Sequence, residues 1–159
     1  MHEMVLHAKT DWVWLRLVSD LVNGVPSKAS YLEAKKAFEA WWLTIWGVGR
    51  FHYRRDPRGV ELVQSVWKTI ERGAGDCDDW SVIAAASVGA LGFPHRFVTV
   101  AADPSHPGQP SHVYPQVSIP KNWDHTERSW YGMDLTVKSA RFGWEPTGFP
   151  SRVWPEPTY

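Results

Sequence analysis

The chain has 159 residues, with Lys+Arg 17 balanced by Asp+Glu 17, seven histidines and a single cysteine. That length suits one domain with a true hydrophobic core, and the neutral balance supplies no field to hold nucleic acid or an anionic membrane. One cysteine excludes an internal disulfide and every Cys-pair zinc pattern, so the thiol is either free or catalytic.

The opening "MHEMVLHAKTDW" lacks the charged start and apolar run of a secretory signal. Nowhere do roughly 20 apolar residues follow one another, so a soluble, cytoplasmic protein is expected. Thr10 or Asp11 can cap a helix through "WVWLRLVSDLV", which Asn23-Gly24 would stop. A second helix is predicted over "KASYLEAKKAFEAWWLTIW", starting near Ser30 and ended by Gly47 and Gly49. It carries alternating charge on one face and Phe38, Trp41, Trp42 and Ile45 on the other.

"RFHYRRDP" reads as a short extended segment broken at Asp56-Pro57. "GVELVQSVWKTIERG" follows as a third helix, with Leu62, Val66, Trp67 and Ile70 at helical spacing and Gly73 as its end. The small-residue apolar run "DDWSVIAAASVGALG" is a buried helix ended by Gly92. Three strands come next, "HRFVTVAA", "SHVYPQVSI" and "WYGMDLTV", joined by the loop "ADPSHPGQP" and the turn "KNWDHTERS". Pro115 inside the second strand argues for a sheet edge or a bulge.

The tail "GWEPTGFPSRVWPEPTY" is too rich in proline for helix or sheet and is expected to run extended over the surface. Helices first and strands later predict an α+β fold with an antiparallel sheet. The expectation is a single domain over 1–159, with 1–47 as a helical extension and 144–159 as a proline-rich tail. Eleven tryptophans, spread from Trp12 to Trp154, are expected mostly to pack a core or line a groove, with a sugar- or partner-binding face as the lesser reading.

The chemistry concentrates in "GAGDCDDW", residues 73–80. Asp76 is well placed as an N-cap, which sets Cys77 in the first helical turn, where free N–H groups and the helix dipole favour a thiolate. Asp78 and Asp79 oppose that effect unless they cap the helix or pair with an arginine such as Arg72 or Arg96. His112, opening the second strand, is the best-placed imidazole, and Asp134 on a neighbouring strand can orient it. Cys77, His112 and Asp134 then form a triad in that chain order, although a surface histidine and a turn aspartate fit the same pattern. A metal site made from Cys77 with Asp76, His112 or Asp134 mixes soft and hard ligands at no zinc spacing, so no metal or cofactor is expected.

The segments "GAGDCDDWSVIAAASVGALGFPHRFVTV", "SHVYPQVSI" and "WYGMDLTV" resemble the Cys, His and Asp blocks of the transglutaminase-like superfamily, a branch of the papain-like thiol fold. "FHYRRDPRGVELVQSVWKTIERG" is similar to the lead-in helix of compact bacterial and tailed-phage members. The resemblance implies a Cys77 helix packed on an antiparallel sheet that carries His112 and Asp134 on adjacent strands. It also implies acyl transfer on an amide or peptide bond of a peptide or protein substrate. The backbone N–H of Cys77 would form half of an oxyanion hole, and Gln64 or Trp67 would donate the other half. Family members commonly place a proline after the Asp, where this chain has Leu135 and Thr136. A different reading is a phage or prophage assembly component that keeps the fold with little catalysis, its partners being virion proteins. The helices up to Trp46 and the tail from Trp144 fall outside the resemblance, which leaves them available to carry a private partner surface.

Overall fold

The computed structural model describes residues 1–21, 31–47, 51–57, 59–60, 62–121, 127–137 and 139–155. Three helices open the chain: α1 (His2–Thr10), α2 (Trp12–Leu21) and α3 (Tyr31–Gly47). A short strand β1 (His52–Tyr53), helix α4 (Val66–Arg72) and strand β2 (Ala74–Gly75) lead to the central helix α5 (Cys77–Ala90). Four strands follow: β3 (His95–Val100), β4 (His112–Pro120), β5 (Arg128–Gly132) and β6 (Ser151–Pro155). They form one antiparallel sheet in the order β5-β4-β3-β6, while β1 and β2 pair in parallel beside it. The α+β architecture is as expected.

Helix α5 organises the molecule. Every residue from Asp79 to Gly89 is buried, with the sheet on one side and α1, α2 and α4 against the rest. Its run of Ala84, Ala85 and Ala86, all fully buried, lets neighbouring backbones approach closely. Two buried serines are satisfied within the fold: Ser81 donates to the Val113 carbonyl (3.0 Å) and Ser87 to the Ile83 carbonyl (2.8 Å). One apolar cluster runs from Val5 of α1 through Phe38 and Trp41 of α3 to Phe142. The helical extension thus contributes to the same core.

Strand β4 is buried on both faces. Val113, Val117 and Ile119 join the main core, and Tyr114 lies on the opposite face with Val98 and Val100, as the two-residue strand period requires.

Several local expectations are corrected. An additional helix, α1, precedes the first predicted one, and Asp11 rather than Thr10 caps α2, its Oδ1 accepting from Val13 N (2.9 Å) and Trp14 N (3.4 Å). Helix α4 begins only at Val66, because Ser65 caps it by accepting from Lys68 N (3.3 Å). Leu62 is exposed before it, its N–H held by Asp56 (2.5 Å). Pro115 sits in an interior strand, not at an edge. It lies opposite the point where β5 has ended at Gly132, and its carbonyl accepts from Met133 N (2.8 Å), so the absent N–H interrupts no ladder bond to β3 or β5.

The tail supplies the edge strand β6, paired to β3 from Arg96↔Pro155 to Val100↔Ser151. Pro146 and Pro150 precede the strand, and an edge strand tolerates Pro155 at its end because one side needs no donor. Of the eight tryptophans whose side chains are described, Trp14, Trp41 and Trp80 are buried in the core and the other five are exposed. The Asn23-Gly24 stop, the Ser30 start, Gly49, the turn at 122–126 and the side chains of Trp42 and Ile45 lie outside the described residues.

Candidate active site

The turn that delivers Cys77 is built residue by residue. Gly73 ends α4 in the left-handed region (φ 62°), its N–H returning to Thr69 and Ile70 carbonyls. Ala74-Gly75 then pair with His52-Tyr53, and Asp76 is extended before α5 starts at Cys77. Asp79, at the third helical position, reaches back to the Asp76 N–H (3.4 Å) as the acid arm of a capping box. A Cβ at residue 75 would lie 2.6 Å from Asp79 Cβ, so only glycine admits that packing.

The structure brings Cys77, His112 and Asp134 together. His112 is the first residue of β4, and Asp134 lies two residues beyond the end of β5, not within the strand as expected. His112 Nε2 is 2.6 Å from Asp134 Oδ2. Asp134 is 1% exposed, and its other oxygen accepts from Thr136 N (2.9 Å) and Thr136 Oγ1 (2.6 Å). Thr136, two residues after the acid, therefore fixes the carboxylate. With Nε2 engaged by Asp134, Nδ1 is the ring nitrogen not held by the acid, and Cys77 lines the same cleft as His112. Burial lowers the His112 pKa, but the hydrogen bonds and charges of Asp134 and Cys77 outweigh it and push it up from 6.5 to about 9.

Asp76, Asp78 and Asp79 place ligand oxygens within 4.8 Å of one another. A cation would fit such a group, yet the protein relieves the crowding itself. Asp79 accepts from Gln64 N (2.6 Å) and from the Gln64 side-chain amide, and burial still pushes its carboxyl up. Asp78 rises to about 8, through burial first and then its hydrogen bond and repulsion with Asp76, so near neutrality it carries a proton. Of the two expected roles, Asp79 takes the capping one and not an arginine partner; Arg72 instead donates to the Oε1 of Gln64 (3.0 Å).

An open cleft of about 840 Å³ lies over Cys77 and His112, with Tyr53, Arg55, Asp76 and Asp78 beside them. The two expected oxyanion donors are engaged elsewhere. The Gln64 amide nitrogen bonds Asp79 and the Ala74 carbonyl (3.4 Å), and the Trp67 indole N–H donates to Asp11 Oδ2 (2.7 Å). Tyr53, which sequence reasoning missed, sits in the cleft instead. It pairs with Gly75, two residues before Cys77, and burial and then the charge of Cys77 push its phenol pKa up. Its position one strand away from the motif was the only signal.

Among the described residues no helix is long and apolar enough to cross a membrane. In a comparison with protein families, residues 17–135 match the transglutaminase-like superfamily. The match takes in α3 and the second half of α2, which the local motifs alone had placed outside the resemblance. No curated protein and no solved structure gives a match.

Proposed function

Because the chain belongs to the transglutaminase-like superfamily, we propose that it is a cysteine-nucleophile acyl-transfer enzyme acting on an amide or peptide bond of a peptide or protein through Cys77, His112 and Asp134. The observation that carries this reading is the 2.6 Å bond from Asp134 to one nitrogen of His112, with the chain's one thiol lining the same cleft as that imidazole. Cys77 Sγ attacks the carbonyl carbon, and the resulting oxyanion collapses as the C–N bond breaks. The His112 imidazolium gives its proton to the departing amine. A thioester remains on Cys77. The now neutral imidazole takes a proton from water, or from an acceptor amine, as that nucleophile attacks the thioester and the thiolate leaves. A His112 pKa near 9 supports the first proton transfer, since the imidazolium is present at neutral pH.

Two donors can meet the oxyanion. The Cys77 N–H opens a helix and has no intrahelical partner. The Tyr53 hydroxyl is the second: Tyr53 lines the cleft with Cys77, and burial raises its phenol, so the hydroxyl keeps its proton and can donate.

The test is to incubate the protein with an unfolded polypeptide. Released ammonia, new N-termini and incorporation of a labelled primary amine separate deamidation, peptidase action and transamidation. Cys77→Ala and His112→Ala should abolish whichever product appears. Products that persist in Cys77→Ala would overturn the reading.

A further inference from the structure

Residues 141–145 lie beyond the family-matched region, yet they fold back onto the sheet beside the site. Gly143 N donates to the Gly132 carbonyl (2.9 Å), and the chain then passes so close over β5 that a Cβ at Gly132 would sit 2.7 Å from Glu145 Cγ and against the Trp144 carbonyl. Glycine at 132 is what admits this approach. From there the Glu145 carboxylate reaches the second face of the sheet.

Its Oε1 accepts from Gln116 Nε2 (2.7 Å) and its Oε2 from the Tyr114 hydroxyl (3.3 Å). The Gln116 oxygen accepts from Arg96 Nε (2.6 Å), and the Arg96 guanidinium lies 4.1 Å over the Trp130 ring. Tyr114 and Gln116 are buried, so this chain of bonds holds side-chain orientations where water does not compete. Tyr114 follows His112 by two residues on the same face of β4. Their rings lie nearly parallel, 19° apart with centroids at 6.3 Å. Burial and the Glu145 and Asp134 carboxylates raise the phenol, which keeps its proton and stays a donor.

We propose that Glu145 is a positioning residue for His112: by fixing the Tyr114 ring through its hydroxyl, it confines the imidazole to the rotamer that meets Asp134 and Cys77 together. The proposal rests on the triad reading above. The segment 141–145 thereby acts as a clasp on the site.

The test is the rate of Cys77 alkylation by iodoacetamide at pH 6, taken as a ratio to the rate at pH 10, where thiols in general are ionised whatever their neighbours. Thermal unfolding of each variant fixes a common temperature at which all are folded. Tyr114→Phe, which removes a single oxygen, and Glu145→Ala should each lower the ratio about tenfold. The double variant should be no worse than either, because both act through one bond. Glu145→Gln can still bond Tyr114 and Gln116 and should restore the starting ratio. If Tyr114→Phe and Glu145→Ala leave the ratio unchanged while His112→Ala collapses it, the clasp role is wrong and the Cys–His pair stands. If His112→Ala also leaves it unchanged, the triad reading fails and the proposal falls with it.

Discussion

His112 and Asp134, 22 residues apart in the chain, meet at 2.6 Å because the β4–β5 register brings them within one step of each other. Gln116 pairs with Gly132, so continuing the register would set Asp134 opposite Tyr114. The chain leaves the strand there, and the carboxylate reaches one further same-face position along β4 to His112. Thr136 then holds the acid from behind.

Replacing Asp134 by Asn keeps the shape and removes the charge. The His112 titration followed by NMR should fall from about 9 towards its ordinary 6.5. The stability consequence has a definite sign. A raised histidine pKa stabilises the fold fully below pH 6.5, and that contribution is lost as pH rises through about 9. The thermal midpoint of the starting protein should therefore drop more steeply between pH 6 and pH 10 than that of Asp134→Asn. An unmoved His112 titration would remove Asp134 from this role.

Asp78 predicts the opposite response to mutation. Its carboxyl is raised to about 8, so folding is favoured below pH 3.8 and increasingly opposed as pH climbs from there to 8. Asp78→Asn stays neutral and can donate to Asp76. A gain of about 2–4 °C in thermal midpoint at pH 8, as for ~1 kcal/mol in a domain of this size, should shrink on approaching pH 4. An equal gain at both values would assign the effect to packing.

Tyr53→Phe separates oxyanion binding from nucleophile activation. Amide turnover should fall on the order of 10²–10³, as when one oxyanion donor is removed. Iodoacetamide alkylation, a displacement at carbon with no developing oxyanion, should proceed unchanged. Loss of both would mean that Tyr53 instead maintains Cys77 itself.

Gly132→Ala tests the clasp from the other side. The new methyl meets Glu145 Cγ at 2.7 Å and the Trp144 backbone, so the segment must lift. A loss of about 1–3 kcal/mol is expected from chemical denaturation, as for overpacking. The pH 6 to pH 10 alkylation ratio should fall with it, as in Glu145→Ala. A stability loss with an intact ratio would show that the segment only packs.

The parts of this protein legible in its sequence are those set by neighbours in the chain. The left-handed Gly73, the tight Gly75, the acid at position 76 and the unbroken small apolar run place Cys77 at the start of a buried helix, and each is a local steric or hydrogen-bonding requirement. The order of helices and strands, and hence the α+β class, follows from hydrophobic periodicity. Proline content, by contrast, misled twice. Pro115 and the tail were judged by what proline forbids in isolation, whereas the cost depends on whether a neighbouring strand needs that N–H.

What the sequence by itself determined, then, is the address of Cys77 on a helix N-terminus and the class of fold around it. Only the tertiary structure decided who surrounds that address. It turned Gln64 towards Asp79 and Trp67 towards Asp11, set Tyr53 in the cleft, joined His112 to Asp134 and laid Glu145 against Tyr114. Those pairings join residues far apart in the chain, and each side chain has several partners of suitable chemistry. The choice among them is made by which surfaces remain within a hydrogen bond's reach once α5 is packed on the sheet.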